Sequence, residues 1–327
     1  MHAIPNSVQN LMIRQIPYAR PPVGELRFRK PVPVENWRDV LLATRVPNSC
    51  PQTLSPPGVF DEWNTKAPLS EDCLFLNVWV PKKLRAYRNA SALIWIHGGG
   101  FSSGASTLDQ YDGAYLAVTS DVIVASMNYR VGALGFLYVG VDEAPGNVGL
   151  FDQHLAVKWI KENVEAFGGD PQSLTLFGES AGGASVAFHL ISPTSRHLTR
   201  RFVMQSGSAN MPWSFKTSAV ARGRAFELAD ALGCPINGTD LNEAARAVVE
   251  CLRALPVANI TCEQDKLIKL GIDYAFVPTV DGEFLPKSPE QLLDGGDFAG
   301  VEAIIGTTKD EGIHRQMSLF SMMERLL

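Results

Sequence analysis

Short apolar runs that alternate with amphipathic helical patterns restrict the fold of this chain more than any other feature of its sequence. Runs of this length, apolar at consecutive positions, are typical of strands buried on both faces of a parallel sheet. The alternation predicts an α/β fold with a mostly parallel central sheet and helices on both faces. The predicted strands are 74–80, 92–97, 122–129, 174–177, 202–205 and 301–306, and the predicted helices are 149–167, 180–191, 219–232 and 241–255.

Composition and net charge indicate which kind of protein this is and which partners are excluded. The 327 residues are 46% hydrophobic and 19% charged, which is ordinary for a chain with a sizeable buried core. No linker or repeat divides the sequence, so residues 1–327 are interpreted as one domain. The net charge of −5, without a Lys/Arg cluster, argues against nucleic acid as a partner. No apolar run is long enough to span a bilayer, and no signal-peptide pattern follows Met1.

Two serines occur in the pattern G-x-S-x-G, the signature of a nucleophilic serine at a sharp turn between a strand and a helix. They are Ser180, in GESAG, and Ser102, in GFSSG, and both follow a predicted strand. Only Ser180 is followed by a helical pattern, at 181–191, whereas Ser102 precedes the turn-rich segment 104–113. A helix that begins directly after the serine directs its N–H groups at developing negative charge. Ser180 is therefore the predicted nucleophile.

The segment just before Ser102 has a different interpretation. His97-Gly98-Gly99-Gly100 follows a predicted strand directly and matches the HGGG-type segment that supplies an oxyanion hole. Glycines at these positions would let the backbone approach a tetrahedral oxyanion, although a simple glycine turn is the alternative. The two serine motifs are therefore predicted to be complementary parts of one site.

Cysteines and glycosylation sequons indicate an extracellular protein. Cys50 and Cys73 enclose a polar, Pro-rich segment, and a disulfide that closed this loop would contribute about 3 kcal/mol of stability. Two buried thiols are the alternative. The remaining cysteines are Cys234, Cys251 and Cys262, and the sequons place candidate glycosylation at Asn89, Asn237 and Asn259.

Ordered sequence blocks carry a resemblance to a known family. The blocks are 16–31, 71–81, 95–101, 145–153, 167–171, 177–185, 205–209, 278–286 and 310–312. Over this span the chain resembles the type-B carboxylesterase and cholinesterase family of α/β-hydrolases, and it looks nearest the cholinesterases. The resemblance implies an α/β-hydrolase fold and a serine ester hydrolase that acts through an acyl-serine intermediate. It implies no cofactor and no metal.

The resemblance also assigns roles to individual residues. It implies Ser180 as the nucleophile, Glu311 as the acid of a catalytic triad, and an oxyanion hole formed by the N–H groups of Gly99, Gly100 and Ala181. It further pairs the cysteines as Cys50–Cys73 and Cys234–Cys251, which leaves Cys262 over. The family is extracellular or attached to the cell surface.

A pocket for choline esters is implied by the same resemblance. Trp63 lies at the position of the tryptophan that holds choline's quaternary ammonium, a cation best bound over an indole face. Glu179 would add negative charge, Tyr111 would line the same pocket, and Trp213 would shape the acyl pocket near Tyr274. Ordinary loop packing is the alternative for Trp63, and a buried structural acid is the alternative for Glu179.

Three features depart from the family pattern. The leading segment 1–14 replaces the usual N-terminal strands, and His314 and Arg315 stand where cholinesterases carry aromatic residues. A cationic Arg315 beside the pocket would disfavour a cationic substrate. The family's catalytic histidine lies far downstream of the acid, whereas the only histidine after Glu311 is His314, three residues on.

The missing histidine shapes the functional expectation. We expect a chain whose C-terminal part is missing and which lacks the catalytic base, because His314 lies too close to the acid. Loss of the base costs a serine hydrolase on the order of 10⁶-fold in turnover. A non-catalytic adhesion or ligand-sequestering protein on the same fold is the alternative, but the intact Ser180, Glu179 and Glu311 favour an enzyme.

Overall fold

The computed structural model describes residues 10–56, 61–86, 89–268, 273–296, 298 and 300–312. Nine strands are assigned: β1 Asn10–Pro17, β2 Phe75–Pro81, β3 Ala90–Ile96, β4 Ile123–Met127, β5 Tyr138–Val141, β6 Ala144–Pro145, β7 Gly169–Glu179, β8 Arg201–Gln205 and β9 Glu302–Gly306. The α-helices are α1 Ala114–Ser120, α2 Gly132–Phe136, α3 Val148–Asn163, α4 Ala181–Ile191, α5 Ser218–Ala231, α6 Leu241–Ala254, α7 Val257–Lys266 and α8 Pro289–Asp294.

Seven strands form the central sheet, in the order β1-β2-β4-β3-β7-β8-β9. The pairs β1–β2 and β2–β4 are antiparallel, and every other neighbouring pair is parallel. A separate antiparallel hairpin joins β5 and β6. The predicted α/β architecture with a mostly parallel sheet is therefore confirmed. Each predicted strand and each predicted helix is present, but the strand predicted at 174–177 extends over 169–179, and the helix predicted at 149–167 ends at Asn163 and continues as a 3-10 helix to Phe167.

The expectation for the leading segment was wrong. Residues 1–9 lie outside the described residues, but 10–14 belong to β1, which pairs antiparallel with β2. The side chains of Leu11 and Ile13 pack against the main core, whereas Met12 packs against a smaller cluster. This alternation between the two faces is the period of a strand. The strand lies at the edge of the sheet, because β2 is its one neighbour there.

Helices cover both faces of the sheet, but unequally. Ile94, Ala125 and Leu176 share one face with Val157 of α3 and Phe188 of α4 in a single large core. The intervening strand positions lie on the opposite face. There Trp79 and Val124 form a small cluster with Ala117 of α1.

Beyond α1, the second face becomes progressively more exposed toward β9. Trp95, Phe177 and Val203 stand next to one another on β3, β7 and β8, and each is only half-buried. On β9 all five residues are exposed, and Ile304 and Ile305 are 67% and 69% exposed. The apolar run at 301–306 thus forms the predicted strand without being buried.

Two disulfides brace the segments outside the sheet. Cys50 is bonded to Cys73 and Cys234 to Cys251, as the resemblance implied. Cys262 is free and exposed on α7. The asparagines of the three sequons, Asn89, Asn237 and Asn259, are all exposed. Within the described residues no helix is long and apolar enough to cross a membrane.

Candidate active site

Ser180 occupies a sharp turn between β7 and α4. Its backbone angles are φ 57° and ψ −120°, a conformation that a residue with a side chain rarely adopts. Its N–H donates to the carbonyl of Gln205 on the neighbouring strand at 2.8 Å, and its carbonyl accepts from Ala184 at 2.9 Å. The turn places the serine directly before the first residue of the eleven-residue helix α4. Strain of this kind is frequent at functional sites.

Glycines make this turn possible because other backbones pass close to it. A Cβ at Gly182 would lie 2.1 Å from the carbonyl oxygen of Ile96, at the end of β3. A Cβ at Gly207 would lie 2.0 Å from the carbonyl oxygen of Ser180. Real Cβ atoms are not found at such distances, so α4 reaches its position on the sheet only with glycine at these two sites.

The oxyanion candidate segment lies against the serine. A Cβ at Gly98 would stand 3.2 Å from the Cβ of Ser180, so the backbone there passes beside the candidate nucleophile. Gly99 and Gly100 both have positive φ, of 108° and 60°, which glycine adopts without strain. A Cβ at Gly100 would collide with the ring of Tyr274 at 2.3 Å.

Negative charge at this position would meet the amino end of a helix. Ala181 is the first residue of α4, whose N-terminal N–H groups have no intrahelical acceptors. The partial positive charge of a helix N-terminus stabilises an anion by about 0.3–1 kcal/mol at exposed sites and more when buried. Ala181 is fully buried. The three residues predicted to form an oxyanion hole therefore belong to two segments that flank Ser180 from different sides.

Glu311 is connected to the serine turn through two residues, Gln205 at the end of β8 and Ser206 directly after it. Its Oε1 accepts hydrogen bonds from the hydroxyl of Ser206 and from the N–H of Thr308, both at 2.7 Å. Ser206 follows Gln205, to which Ser180 donates, and its own N–H donates to Gly306 at 2.8 Å. The carboxylate thus lies at the end of the sheet where β7, β8 and β9 finish.

A second carboxyl group at the site is that of Glu179, which directly precedes Ser180 and lies close to Gly98. Burial raises its pKa, and the negative charge of Glu311 raises it further. The pKa of Tyr111 is also raised, mainly by burial and in addition by Glu179.

The aromatic residues predicted to line the substrate pocket lie in two groups. Trp63 is 44% exposed, and its ring centroid lies 6.5 Å from that of Tyr111, which in turn contacts Trp95 at 5.0 Å. Trp213 is 7% exposed and packs at 6.5 Å from Tyr274. Since Tyr274 contacts Gly100, the second group borders the oxyanion segment.

Four histidines lie among the described residues, and His97 is the nearest to Ser180 in the fold. Its ring is buried, stacks on Tyr129 at 4.2 Å and has its Nδ1 2.9 Å from the carbonyl of Gly98. Burial lowers its pKa to about 4, which outweighs the opposite effect of that carbonyl. A group with this pKa is a poor general base near neutral pH.

His154 and His189 form a separate cluster with Ser195. Their Nδ1 atoms lie 3.2 Å and 2.5 Å from the Ser195 hydroxyl. Burial is the main cause that lowers their pKa values to about 4 and about 3. His189 stands nine residues after Ser180 on α4, about 13 Å along the helix axis. The cluster therefore has a structural role away from the serine turn.

Some features of the site were missed by sequence reasoning. Ser206 and Gly207 lie in 205–209, one of the blocks that carry the resemblance, but no role was assigned to them. Their contacts with Glu311 and Ser180 depend on the register of three parallel strands, which local patterns do not reveal. His314 and Arg315 lie outside the described residues. No group of three or more His, Cys, Asp or Glu side chains in the described chain is arranged to hold a metal ion.

Comparison with known proteins identifies the chain's relatives. The family model described as "Carboxylesterase family" matches residues 10–324. An acetylcholinesterase from Leptinotarsa decemlineata is 46% identical over 319 residues, an alignment that covers 91% of this chain and 50% of that protein. The chain therefore spans about half the length of this curated relative.

Proposed function

Because the chain belongs to the carboxylesterase family, whose members have the α/β-hydrolase fold, we propose that its site performs serine ester hydrolysis with Ser180 as the nucleophile. One observation carries the proposal. Ser180 stands in a strained turn at the amino end of α4, with the backbone of Gly98 against its Cβ. Strain, a helix N-terminus and a glycine segment at one serine are three of the features that support acyl transfer.

In the proposed reaction the hydroxyl oxygen of Ser180 attacks the ester carbonyl. The carbonyl oxygen becomes negative and accepts hydrogen bonds from the N–H groups of Gly99, Gly100 and Ala181. The alcohol then leaves with a proton, and the acyl group remains on the serine until water removes it. Each oxyanion donor of this type contributes about 2.7–4 kcal/mol to the stability of the transition state.

A histidine would take the proton of Ser180 and give it to the leaving alcohol, and Glu311 is the proposed carboxylate that orients this histidine. The Oε1 atom of Glu311 accepts hydrogen bonds from Ser206 and Thr308, which hold the carboxylate at the end of the sheet near the serine turn. We assign the base to none of the four described histidines. His97 has too low a pKa, and His154 and His189 contact Ser195 instead. His197 is exposed, and its ring lies beside His154.

Choline esters are the proposed substrates. A quaternary ammonium donates no hydrogen bonds and binds best over an aromatic face. Trp63 offers such a face, with Tyr111 6.5 Å away and the negative charge of Glu179 near Tyr111. The acyl part would lie toward Trp213 and Tyr274, which border Gly100.

Covalent labelling with a fluorophosphonate tests the nucleophile without requiring turnover. We expect one label per chain at Ser180, located by mass spectrometry of the peptide, and none in the Ser180→Ala variant. Ser102→Ala is the matched control, because Ser102 lies in the competing G-x-S-x-G motif, and it should label like the parent. A folded chain that takes no label at Ser180 would contradict catalysis and favour a non-catalytic binding protein.

The alcohol subsite is tested separately by binding of tetramethylammonium. Replacing Trp63 by leucine should weaken binding by about 5- to 30-fold, the loss expected for a cation–π contact. Trp37→Leu is the matched control, because Trp37 is 43% exposed and Trp63 is 44% exposed. Equal affinities in the two variants would remove the choline assignment and leave the nucleophile assignment intact.

The proposed setting is extracellular or at the cell surface. Disulfides persist in oxidising compartments, and the two described here close polar segments outside the sheet. The exposed sequon asparagines are accessible to glycosylation. Expression through a secretory pathway should add glycans at Asn89, Asn237 and Asn259, each detected as a mass shift that glycosidase treatment removes.

A further inference from the structure

A buried glutamine holds the end of the glycine segment that lies against Ser180. Gln52 is 4% exposed, and its Oε1 accepts from the N–H of Gly104 at 2.8 Å. Its Nε2 donates to the carbonyl of Gly104 at 2.9 Å and to that of Cys50 at 3.0 Å. A backbone N–H can only donate, so the orientation of this amide is settled and both of its protons are used. Gln52 thus pairs with the backbone of Gly104 as a neighbouring strand would.

The end of the segment 98–104 contacts its beginning. Gly104 has a φ of 104°, and a Cβ there would lie 2.4 Å from the carbonyl oxygen of Gly98. A Cβ at Gly98 would in turn lie 3.2 Å from the Cβ of Ser180. Both ends of the segment therefore meet beside the candidate nucleophile, and a displacement of Gly104 would be felt there directly.

The interior of the segment carries two of the three proposed oxyanion donors, the N–H groups of Gly99 and Gly100. It is a turn with hydrogen bonds of its own, because the N–H groups of Ser102 and Ser103 both donate to the carbonyl of Gly99 at 3.0 Å. Since this turn leads directly into Gly104, a movement of that residue would change the direction in which the two oxyanion donors point.

Two further hydrogen bonds hold the segment at its start and its middle. The hydroxyl of Tyr129 donates to the carbonyl of His97 at 2.8 Å, and the N–H of Gly132 donates to the carbonyl of Phe101 at 2.6 Å. Because each of these bonds holds a different residue, loss of the Gln52 amide should release the end of the segment and leave its start and middle in place.

We propose that Gln52 is a positioning residue of the active site, which holds the segment 98–104 in the shape that presents the oxyanion donors to the substrate carbonyl. The inference rests on the proposed function of Ser180. Gln52 acts through Gly104 and not by contact with the substrate. A displacement of about 1 Å at a reacting group can cost about 10²-fold in rate, and the three hydrogen bonds of this buried amide oppose such a displacement.

Gln52→Met tests the proposal, because methionine has nearly the same shape and makes none of the three hydrogen bonds. Asn64→Leu is the matched control. Asn64 lies in the same disulfide-closed loop, and its amide pairs with the N–H and the carbonyl of Ser55 at the same two distances, 2.8 Å and 2.9 Å. Ser55 belongs to that loop and not to the segment 98–104, so the control removes an equivalent pairing that does not reach the segment.

Amide hydrogen exchange of the full chain, resolved by residue, measures whether the segment is held. The N–H groups of Ser102 and Ser103 are the reporters, because their acceptor is Gly99 and not Gln52. In Gln52→Met they should exchange about tenfold faster than in the parent, since the segment opens more often once its end is released. In Asn64→Leu they should exchange at the parental rate.

The kinetics of fluorophosphonate labelling at Ser180 measure the consequence for the reaction. The limiting rate constant of Gln52→Met should be about 10- to 100-fold below that of the parent, because misplaced oxyanion donors stabilise the transition state less. The reagent concentration that gives half the limiting rate should not change, since the donors act on the transition state. Asn64→Leu should keep both parental values. A loss of stability alone would not produce this difference between the two constants in a folded chain.

Three outcomes would overturn the proposal. One is parental exchange at Ser102 and Ser103 in Gln52→Met, which means that the other hydrogen bonds of the segment suffice. Another is an equal acceleration in Asn64→Leu, which assigns the effect to the disulfide-closed loop as a whole. The third is a parental limiting rate of labelling in Gln52→Met despite faster exchange, which means that the oxyanion donors do not depend on Gln52.

Failure of the proposed function is recognised separately. If the parent takes no label at Ser180, the exchange rates still decide whether Gln52 holds the segment. If Gln52→Met does not fold, as judged by circular dichroism, Gln52→Glu takes its place with Asn64→Asp as its control. This variant keeps an acceptor for the N–H of Gly104 and loses the two bonds that Nε2 donates, so the same comparisons apply.

Discussion

The two halves of the candidate active site are held in different ways. Ser180 lies among closely packed backbone segments. A Cβ atom at position 182 or 207 would lie about 2 Å from a backbone carbonyl oxygen, so both positions require glycine. Glu311 follows β9, whose residues are all exposed, and it accepts hydrogen bonds from Ser206 and Thr308. Steric packing sets the position of the nucleophile. Hydrogen bonds in a more solvated setting set that of the acid.

This difference indicates which half of the site tolerates substitutions without loss of stability. Packed backbones resist displacement because atoms cannot overlap, whereas an exposed hydrogen bond exchanges with water at little net cost. Substitutions should therefore damage stability on the serine side and hardly affect it on the acid side. The following predictions run from the largest expected effect to the smallest.

The largest contrast is between two glycines. Gly182→Ala should destabilise the fold by about 3 kcal/mol or more, because the new methyl group would overlap the backbone of Ile96. Gly306→Ala on β9 meets no atom within 4 Å and should change stability by less than about 0.5 kcal/mol. Urea unfolding followed by circular dichroism measures both. Similar values for the two variants would show that β9 is as tightly packed as the serine turn.

Acid should weaken the fold through the histidine cluster at Ser195, which lies outside both halves of the site. The pKa of His154 is about 4 in the fold, lowered by burial and then by His197 and Lys158, and 6.5 in the unfolded chain. The unfolded chain therefore binds the proton first, and this contribution to stability is lost as the pH falls from 6.5 toward 4. One such histidine makes the free energy of unfolding fall by up to about 1.4 kcal/mol for each pH unit of acidification in this range.

The variant His154→Gln isolates this contribution. Its free energy of unfolding, measured by urea titration at several pH values between 7 and 5, should fall less steeply than that of the parent. His197→Gln is the control, because His197 is exposed and its ring lies 6.4 Å from that of His154. The control should retain most of the parental slope. If both variants lost it equally, the exposed histidine would be responsible.

Substitution of two serines, one in each half of the site, should change the stability by intermediate amounts. Ser185 is fully buried on α4 and accepts from Gln153 at 3.1 Å, so Ser185→Ala should cost about 1–3 kcal/mol. Ser206 is half-buried, and Ser206→Ala removes one bond to Glu311 and should cost no more than about 1 kcal/mol. Thermal unfolding ranks the two. A reversed order would mean that the acid side is the better fixed half.

The same contrast explains what sequence could predict. The serine turn was predicted because its elements are local: an apolar strand, a G-x-S-x-G turn and a helical pattern follow one another in 174–191. The bond between Ser206 and Glu311 was not, because it joins residues 105 apart in sequence through the register of β8 and β9. The residues that form the serine turn are neighbours in the sequence, whereas the register between strands depends on the whole sheet.

Burial was predicted less well than secondary structure. The run 301–306 has the apolar composition of a buried strand, yet Ile304 and Ile305 are exposed on β9. The segment 10–17, in contrast, was not predicted to be a strand, although Leu11, Met12 and Ile13 alternate between two cores. The composition of a strand indicates how much apolar surface it could bury. The elements packed against the strand determine whether that surface is buried.

The smallest expected effect links the two halves directly. The pKa of Glu179 is raised chiefly by burial and secondarily by the negative charge of Glu311. Glu311→Gln removes that charge, so the pKa of Glu179 should move down but stay above its ordinary value, because burial persists. Carboxyl ¹³C NMR titration of parent and variant measures the change. Stability should alter by less than about 0.5 kcal/mol, because Gln keeps an oxygen that can accept from Ser206 and Thr308. A pKa of Glu179 that did not move would mean that the two carboxyl groups do not interact, and that the acid lies farther from the serine turn than the chain of hydrogen bonds through Gln205 and Ser206 requires.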